Sequence, residues 1–174
     1  MKFPDGYRFS SRSPSKREII WLYEWLVENK DKYKIKNILE FSCGITTWAL
    51  CEALDPNLYV AVDDYKHLVK FVETNLPKVH LVSKWEDIPS NKYDIVLIDG
   101  STGFPSEVKV DGRGVYRVEA CEYSVDMMAD NALIIMHDWR NKRGGWRRLR
   151  KHLDENYKFV DGCKIGYGFG IYQK

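Results

Sequence analysis

The sequence has no dominant charge, few cysteines and no long apolar run, and each shortage narrows what it encodes. Its 27 basic and 25 acidic residues leave a net charge of +2. That balance excludes an argument for nucleic acid from the total, so only local clusters carry weight. The four cysteines, Cys43, Cys51, Cys121 and Cys163, include no Cys-x-x-Cys pair, which argues against a zinc site. They read as reduced core thiols of a cytoplasmic protein. No stretch approaches the roughly 20 apolar residues needed to span a bilayer, so no membrane partner is expected. The opening residues MKFPDGYRFSSRSPSK lack the apolar centre of a secretory signal. Neither GxGxxG nor GxxxxGK[ST] occurs, so no pyrophosphate or P-loop fingerprint is present. Internal repeats and low-complexity tracts are also missing.

What remains is an ordinary globular chain. Its 174 residues, 44% hydrophobic, suffice for one domain (1–174) with a real core. Residues 1–14 are polar with scattered aromatics and read as an arm laid on the surface. Aromatic residues make up 14%, with six Trp and eleven Tyr. Much of this is core, and it leaves material for a pocket that stacks a flat ligand.

The stretch Asn37–Trp48, NILEFSCGITTW, organises the chain. A strand-like run ends in the small-residue turn Ser42-Cys43-Gly44, and two threonines then open a helix. Free backbone N–H groups and the helix dipole make such a turn a ligand site for negative charge, with Glu40 adding an acceptor. Before it, Ser15 as N-cap and Glu18 three residues on predict a helix from Lys16 to about Asn29, followed by a charged connector. After it, helices are predicted over Trp48–Leu54 and His67–Leu76, around Tyr116–Met127, and over Trp146–Glu155. Strands are predicted at Leu58–Val62, Val79–Val82, Tyr93–Ile98 and Ala132–Met136, with a closing hairpin of Tyr157–Cys163 and Gly168–Tyr172. A long glycine-bearing loop spans 101–114, and loops of that length are often functional.

Alternating strands and helices imply an α/β, Rossmann-like doubly wound parallel sheet. Four strands end in Glu40, Asp63, Asp99 and His137-Asp138. Ligands of such sheets bind outside the carboxyl ends of the strands, so these residues converge on one crevice. Acidic residues also end strands for turn reasons, which is the plainer account of any one of them.

This order resembles the class I S-adenosylmethionine-dependent methyltransferases. The matching residues are Glu40-Phe-Ser-Cys-Gly44-Ile-Thr46-Thr47, Val60-Ala-Val-Asp63 and Tyr93-Asp-Ile-Val-Leu-Ile-Asp99-Gly100. The run Asp99-Gly100, Gly112-Arg113 and His137-Asp138 is similar to the glucuronoxylan O-methyltransferase branch. The resemblance covers about Ile38 to Tyr172. It implies a mostly parallel seven-stranded sheet of order 3-2-1-4-5-7-6 with a C-terminal antiparallel hairpin. Where the family's first motif prefers three alternate small residues, usually glycine, this chain has Ser42, Gly44 and Thr46.

The resemblance also assigns a cofactor, S-adenosyl-L-methionine, and roles. Glu40 would orient its amino group. The turn Ser42, Cys43, Gly44, Thr46 and Thr47 would pack on its carboxylate and ribose. Asp63, with Asp64 beside it, would accept from the ribose diol. Glu86 or Asp87 would take the adenine amine, and Trp85 would cover the adenine face. Asp99 would face both cofactor and acceptor. Asp99 and Asp138 have oxygens that suit a divalent metal ion, Mg²⁺ or Ca²⁺, which lowers a hydroxyl's pKa. Alternatively His137 is a metal-free general base, or simply a strand-end cap. Arg113 would sit in a loop that closes over the site. The basic run from Arg140 to Lys151 (Arg140, Lys142, Arg143, Arg147, Arg148, Arg150, Lys151) is either a solvated face or a dock for an anionic saccharide, a phosphorylated compound or nucleic acid. The expected activity is O-methylation of a small or polymeric acidic acceptor. A non-catalytic or nucleic-acid-binding module on the same fold, and an NAD(P)-dependent oxidoreductase, are the competing readings.

Overall fold

The computed structural model describes residues 1–5, 7, 9, 13–99, 116–142 and 144–174. Seven strands form one sheet in the order β3-β2-β1-β4-β5-β7-β6. They are β1 (Asn37–Phe41), β2 (Leu58–Val62), β3 (His80–Val82), β4 (Tyr93–Ile98), β5 (Met128–His137), β6 (Lys158–Gly162) and β7 (Phe169–Gln173). The first five pair in parallel, while β7 runs antiparallel between β5 and β6. This is the doubly wound sheet and hairpin that the sequence predicts. The strand order reverses between β1 and β4, where a crevice opens in such sheets.

The side chains of each strand alternate between two packed layers, as a period of two requires. Ile38, Ala61, Ile95, Leu97, Leu133 and Ile135 face a core shared with α1 (Lys16–Tyr33) and α2 (Ile45–Leu54). Leu39, Phe41, Val60, Val62, Val96, Ile98, Ile134 and Met136 face the other core, with α4 (Tyr116–Ser124) and α5 (Gly144–Asn156). The helix α3 (Lys66–Asn75) contributes Val72 to the first core. The arm is more than a surface dressing: Phe3, Tyr7 and Phe9 pack against that core.

The helix α1 begins as its capping box demands. Ser15 N–H donates to Glu18 Oε2 at 2.6 Å, and Glu18 N–H donates to Ser15 Oγ at 3.4 Å. It runs past the predicted end at Asn29 to Tyr33, whose ring stacks on Trp25 at 6.0 Å. Strand β5 starts four residues early, because its place between β4 and β7 carries the exposed polar Asp130 and Asn131. The predicted loop 101–114, Arg113 and Arg143 lie outside the described residues. All four cysteines are free thiols, with Cys51 half-buried and the other three buried.

Gly168 shapes the β6–β7 turn. Its φ is +67°, and a Cβ there would run into the Cys163 carbonyl, so only glycine fits. Its N–H donates to Glu18 Oε1 at 2.7 Å, tying the last turn of the chain to the first turn of α1.

Candidate functional site

The sequence expects the turn after β1 to present free N–H groups. The structure spends them internally: Ser42 N–H donates to the Val62 carbonyl at 2.8 Å, Cys43 N–H to Asp63 Oδ2 at 2.8 Å, and Gly44 N–H to Thr47 Oγ1 at 2.8 Å. What the turn offers a ligand is the start of α2, where Gly44 has no side chain to cap the first N–H groups. Ser42 takes φ +82°, a left-handed conformation that suits glycine, while holding Asp63 through Oγ at 3.2 Å.

Glu40 stands behind this turn. It is fully buried and accepts from Thr46 Oγ1 and Thr47 Oγ1 at 2.6 Å and from the Tyr59 hydroxyl at 2.7 Å. Burial pushes its carboxyl up to about 8, against the opposing pull of those three hydroxyls. Glu40 therefore props the turn from within, and its carboxylate does not line the cleft. Trp85 is also internal. Its indole is 1% exposed, meets Phe41 edge-on at 5.4 Å and lies 5.1 Å from Tyr123, in the opposite core. The short 3₁₀ turn Trp85–Asp87 folds the ring inward after β3.

Asp63 is buried at the end of β2. Besides Ser42 and Cys43, it accepts from Tyr65 N–H at 2.8 Å. A carboxylate offers about four lone-pair sites, and these donors take three of them. Asp64, next in the chain, is exposed.

A cleft of ≈ 600 Å³ opens at the carboxyl ends of β1, β4 and β5. One wall is the turn Ser42 to Thr46 with Tyr65, His67 and Leu68; the other is Asp99, His137 and Asp138 with Arg117 and Trp146. Tyr7 and Pro14 of the arm close the rim. Seven of the site residues the sequence singles out thus share one space: Ser42, Cys43, Gly44, Thr46, Asp99, His137 and Asp138. Glu40, Thr47, Asp63, Asp64 and Trp85 are not part of the lining.

The floor of the second wall is polar and crowded. Paired strands put Ile98 level with Met136, so Asp99 and His137 meet one residue later. His137 Nδ1 lies 2.7 Å from Asp99 Oδ1. Burial alone pulls the imidazole down, but the charge and hydrogen bond of Asp99, then the charges of Asp138 and Glu18, outweigh it and hold the net pKa above the ordinary histidine value. The other ring nitrogen, Nε2, lies 3.9 Å from both Glu18 Oε1 and Asp138 Oδ1 and has no hydrogen-bond partner among the described residues. Asp138 takes φ +56°, which aspartate tolerates better than most residues. Burial raises its carboxyl, partly opposed by the neighbouring His137. Trp139 then anchors the chain beyond the site. Its indole stacks on Phe159 at 5.3 Å, and a Cβ on either Gly162 or Gly170 would collide with it.

Three contributors escape the sequence reading. Glu18 reads as a helix cap and serves as one, yet its carboxylate also faces His137. Arg117 is not singled out in the sequence, and Trp146 reads only as a helix start. In the fold the Arg117 guanidinium lies 3.3 Å over the Trp146 ring. The visible signal was an arginine at the start of a helix, where the dipole disfavours cations.

Among the described residues, no three His, Cys, Asp or Glu side chains are grouped to hold a metal ion. Of the expected pair of metal ligands, Asp99 holds His137 through Oδ1, and Asp138 lies on the other side of the same ring. For S-adenosylmethionine the lining fits: the cleft's volume is ordinary for a small-molecule site, α2 begins uncapped at its wall, and Asp63 braces that turn from behind through Ser42 and Cys43. The described members of the basic run lie toward solvent. Leu149 and Leu153 of α5 are buried, and Lys142, Arg147 and Arg148 are exposed. Arg150 pairs with Asp154 at 3.5 Å and Lys151 with Glu155 at 3.6 Å. No helix among the described residues is long and apolar enough to cross a membrane.

No protein-family model matches this sequence, and no curated protein is similar to it. Solved structures are similar. An O-methyltransferase from Bacillus cereus, in complex with SAH, superposes with a TM-score of 0.66 at 14% identity, over 94% of this chain and 83% of that one. A methyltransferase from Geobacter sulfurreducens gives 0.63 at 18% identity, over 94% and 80%. The N-methyltransferase NodS from Bradyrhizobium japonicum gives 0.62 at 12% identity, over 92% and 98%. At such identities the likeness speaks for architecture, and it shows that this chain has the seven-stranded fold of the methyltransferases.

Proposed function

We propose that the chain is an S-adenosylmethionine-dependent O-methyltransferase acting on an acidic acceptor. The observation that carries this reading is the shared cleft, which brings the turn after β1 and the Asp99–His137 pair into one space. When bound, S-adenosylmethionine supplies a methyl group on a sulfonium, which a hydroxyl oxygen displaces as the C–S electron pair stays on sulfur. The start of α2 and exposed Asp64 hold its polar groups, and Asp63 keeps the turn between them in shape. Tyr65, His67 and Leu68 line the same wall.

The proton of the acceptor hydroxyl goes to His137. Asp99 occupies Nδ1 and so fixes the tautomer and ring orientation, leaving Nε2 as the receiving atom. Asp138, 19% exposed and 3.9 Å from Nε2, stands between the cleft and the ring, and one bridging water would carry the proton across that gap. His137 must be neutral to accept it, so transfer increases with pH through the raised imidazole pKa. No metal enters this scheme. The test is transfer of labelled methyl from S-adenosylmethionine to a panel of hydroxylated carboxylic acids and uronate saccharides. Transfer to any, lost in His137→Ala by about 10²-fold or more, supports the assignment. Binding of cofactor with no transfer to any acid removes the acidic-acceptor part.

A second reading is a nucleic-acid-binding module, favoured by the exposed Lys142, Arg147 and Arg148. Binding of RNA or DNA that weakens steeply with salt, without cofactor affinity, would favour it.

A further inference from the structure

Arg117 is placed at a cost. It lies in the first turn of α4, where the helix dipole opposes a cation. Burial draws its guanidinium down to about 10, and the charges of Asp99 and Asp138 offset this only in part. Neither acid comes close enough for an ion pair among the described residues. Its Nε is buried and has no hydrogen-bond partner among those residues. One face of the guanidinium is covered by Trp146 at 3.3 Å. At that distance a tilted guanidinium would clash with the ring, so it lies along the indole and presents its terminal edge, whose parallel N–H groups match two coplanar oxygens.

The charges of the lining narrow the choice further. Asp99, Asp138 and the nearby Glu18 stand against His137 and Arg117, so the cleft carries no positive field. A dianion such as a phosphate monoester is repelled more strongly than a single carboxylate, for which the guanidinium edge supplies a matching pair of N–H groups. The aromatic lining of Tyr7, Tyr65 and Trp146 suits a flat body behind that carboxylate.

We propose that Arg117, laid flat on Trp146, binds the carboxylate of a planar acid that enters this cleft as the methyl acceptor. The assignment of that acid as acceptor rests on the methyl-transfer reading above. The carboxylate site itself stands on Arg117 and Trp146.

The test uses the full chain saturated with S-adenosylhomocysteine and three probes: benzoate, methyl benzoate and phenyl phosphate. Affinities are measured by ligand-observed NMR for the wild type, Arg117→Met and Arg117→Lys. Benzoate is expected to bind at least tenfold more tightly than the other two. Arg117→Met keeps the apolar stem over Trp146 and loses that preference, while methyl benzoate is unaffected. Arg117→Lys keeps the charge but not the planar edge, and loses most of it. Equal affinity for benzoate and its ester, no benzoate binding, or unchanged benzoate binding by Arg117→Met overturns the proposal. Thermal melts and separate titration of S-adenosylhomocysteine keep the two readings apart. Cofactor binding without a benzoate preference removes only the carboxylate site. A benzoate preference in wild type that binds no S-adenosylhomocysteine removes only the methyl-transfer reading.

Discussion

His137 Nδ1 and Asp99 Oδ1 meet at 2.7 Å across neighbouring strands, in a pocket where the imidazole is only 7% exposed. The pair joins the ends of β4 and β5, and the two carboxylates of Glu18 and Asp138 stand on its far side at 3.9 Å.

The first prediction concerns the charge of that imidazole. Its folded pKa is raised, chiefly by Asp99, against the opposing pull of burial. The stability this pairing contributes is therefore complete below the unfolded value of about 6.5 and disappears as pH rises through the folded pKa. In Asp99→Asn the imidazole titration followed by NMR moves to lower pH, and stability loses that falling limb. An unchanged His137 titration in Asp99→Asn contradicts the assignment.

Glu40 gives an opposite case among carboxyls. Its folded pKa is about 8 against 4.5 for the free group, because burial outweighs three hydroxyl donors. The folded chain thus binds a proton that the unfolded chain has released. Stability should fall between these two values, at up to about 1.4 kcal/mol per pH unit. Glu40→Gln imitates the protonated form and should flatten that slope in denaturant titrations from pH 5 to 8. A slope unchanged by the substitution would show that Glu40 stays ionised.

How much of this was written in the sequence depends on the kind of signal. The sheet was legible because its strands are apolar runs between turn residues, and a one-residue slip would flip every side chain. Tyr93–Ile98 and Leu58–Val62 fall where the sequence predicts them. Of the strand ends expected from topology to converge, Asp99 and His137-Asp138 line the cleft, while Glu40 and Asp63 are buried behind it. The inward turn of Glu40 and Trp85 was not legible, because strand-end position says nothing about which layer a side chain enters. Glu40 points to the α1–α2 layer that Ile38 also faces, and hydroxyls of Thr46, Thr47 and Tyr59 make its burial tolerable. Arg117 escaped because its partner Trp146 lies on another helix, and no local pattern links them.

Ser42 separates a backbone effect from a hydrogen bond. Its φ of +82° is costly for any residue with a Cβ, and its hydroxyl holds Asp63 at 3.2 Å. Both Ser42→Gly and Ser42→Ala lose the hydroxyl, but only glycine relieves the backbone. Ser42→Gly should be more stable than Ser42→Ala by about 1–2 kcal/mol in thermal melts. Equal stability would mean that the turn rearranges in one of the variants.

Gly170 tests the anchor behind the site. A Cβ there would enter the space of the Trp139 indole, on which Phe159 stacks and over which Arg150 lies. Gly170→Ala should cost about 1–3 kcal/mol of stability. It should also perturb His137, two residues before Trp139, visible as a shifted ring resonance. A full-stability variant with an unmoved His137 signal would show that the indole has room to give.

The central claim is that this cleft holds a nucleoside with an amino-acid tail. Calorimetric titration of S-adenosylmethionine and S-adenosylhomocysteine into the full chain tests it most directly. The account predicts one site for each, weakened at least tenfold in Asp63→Asn with the fold intact by circular dichroism. No heat with either compound in the wild-type chain would contradict it.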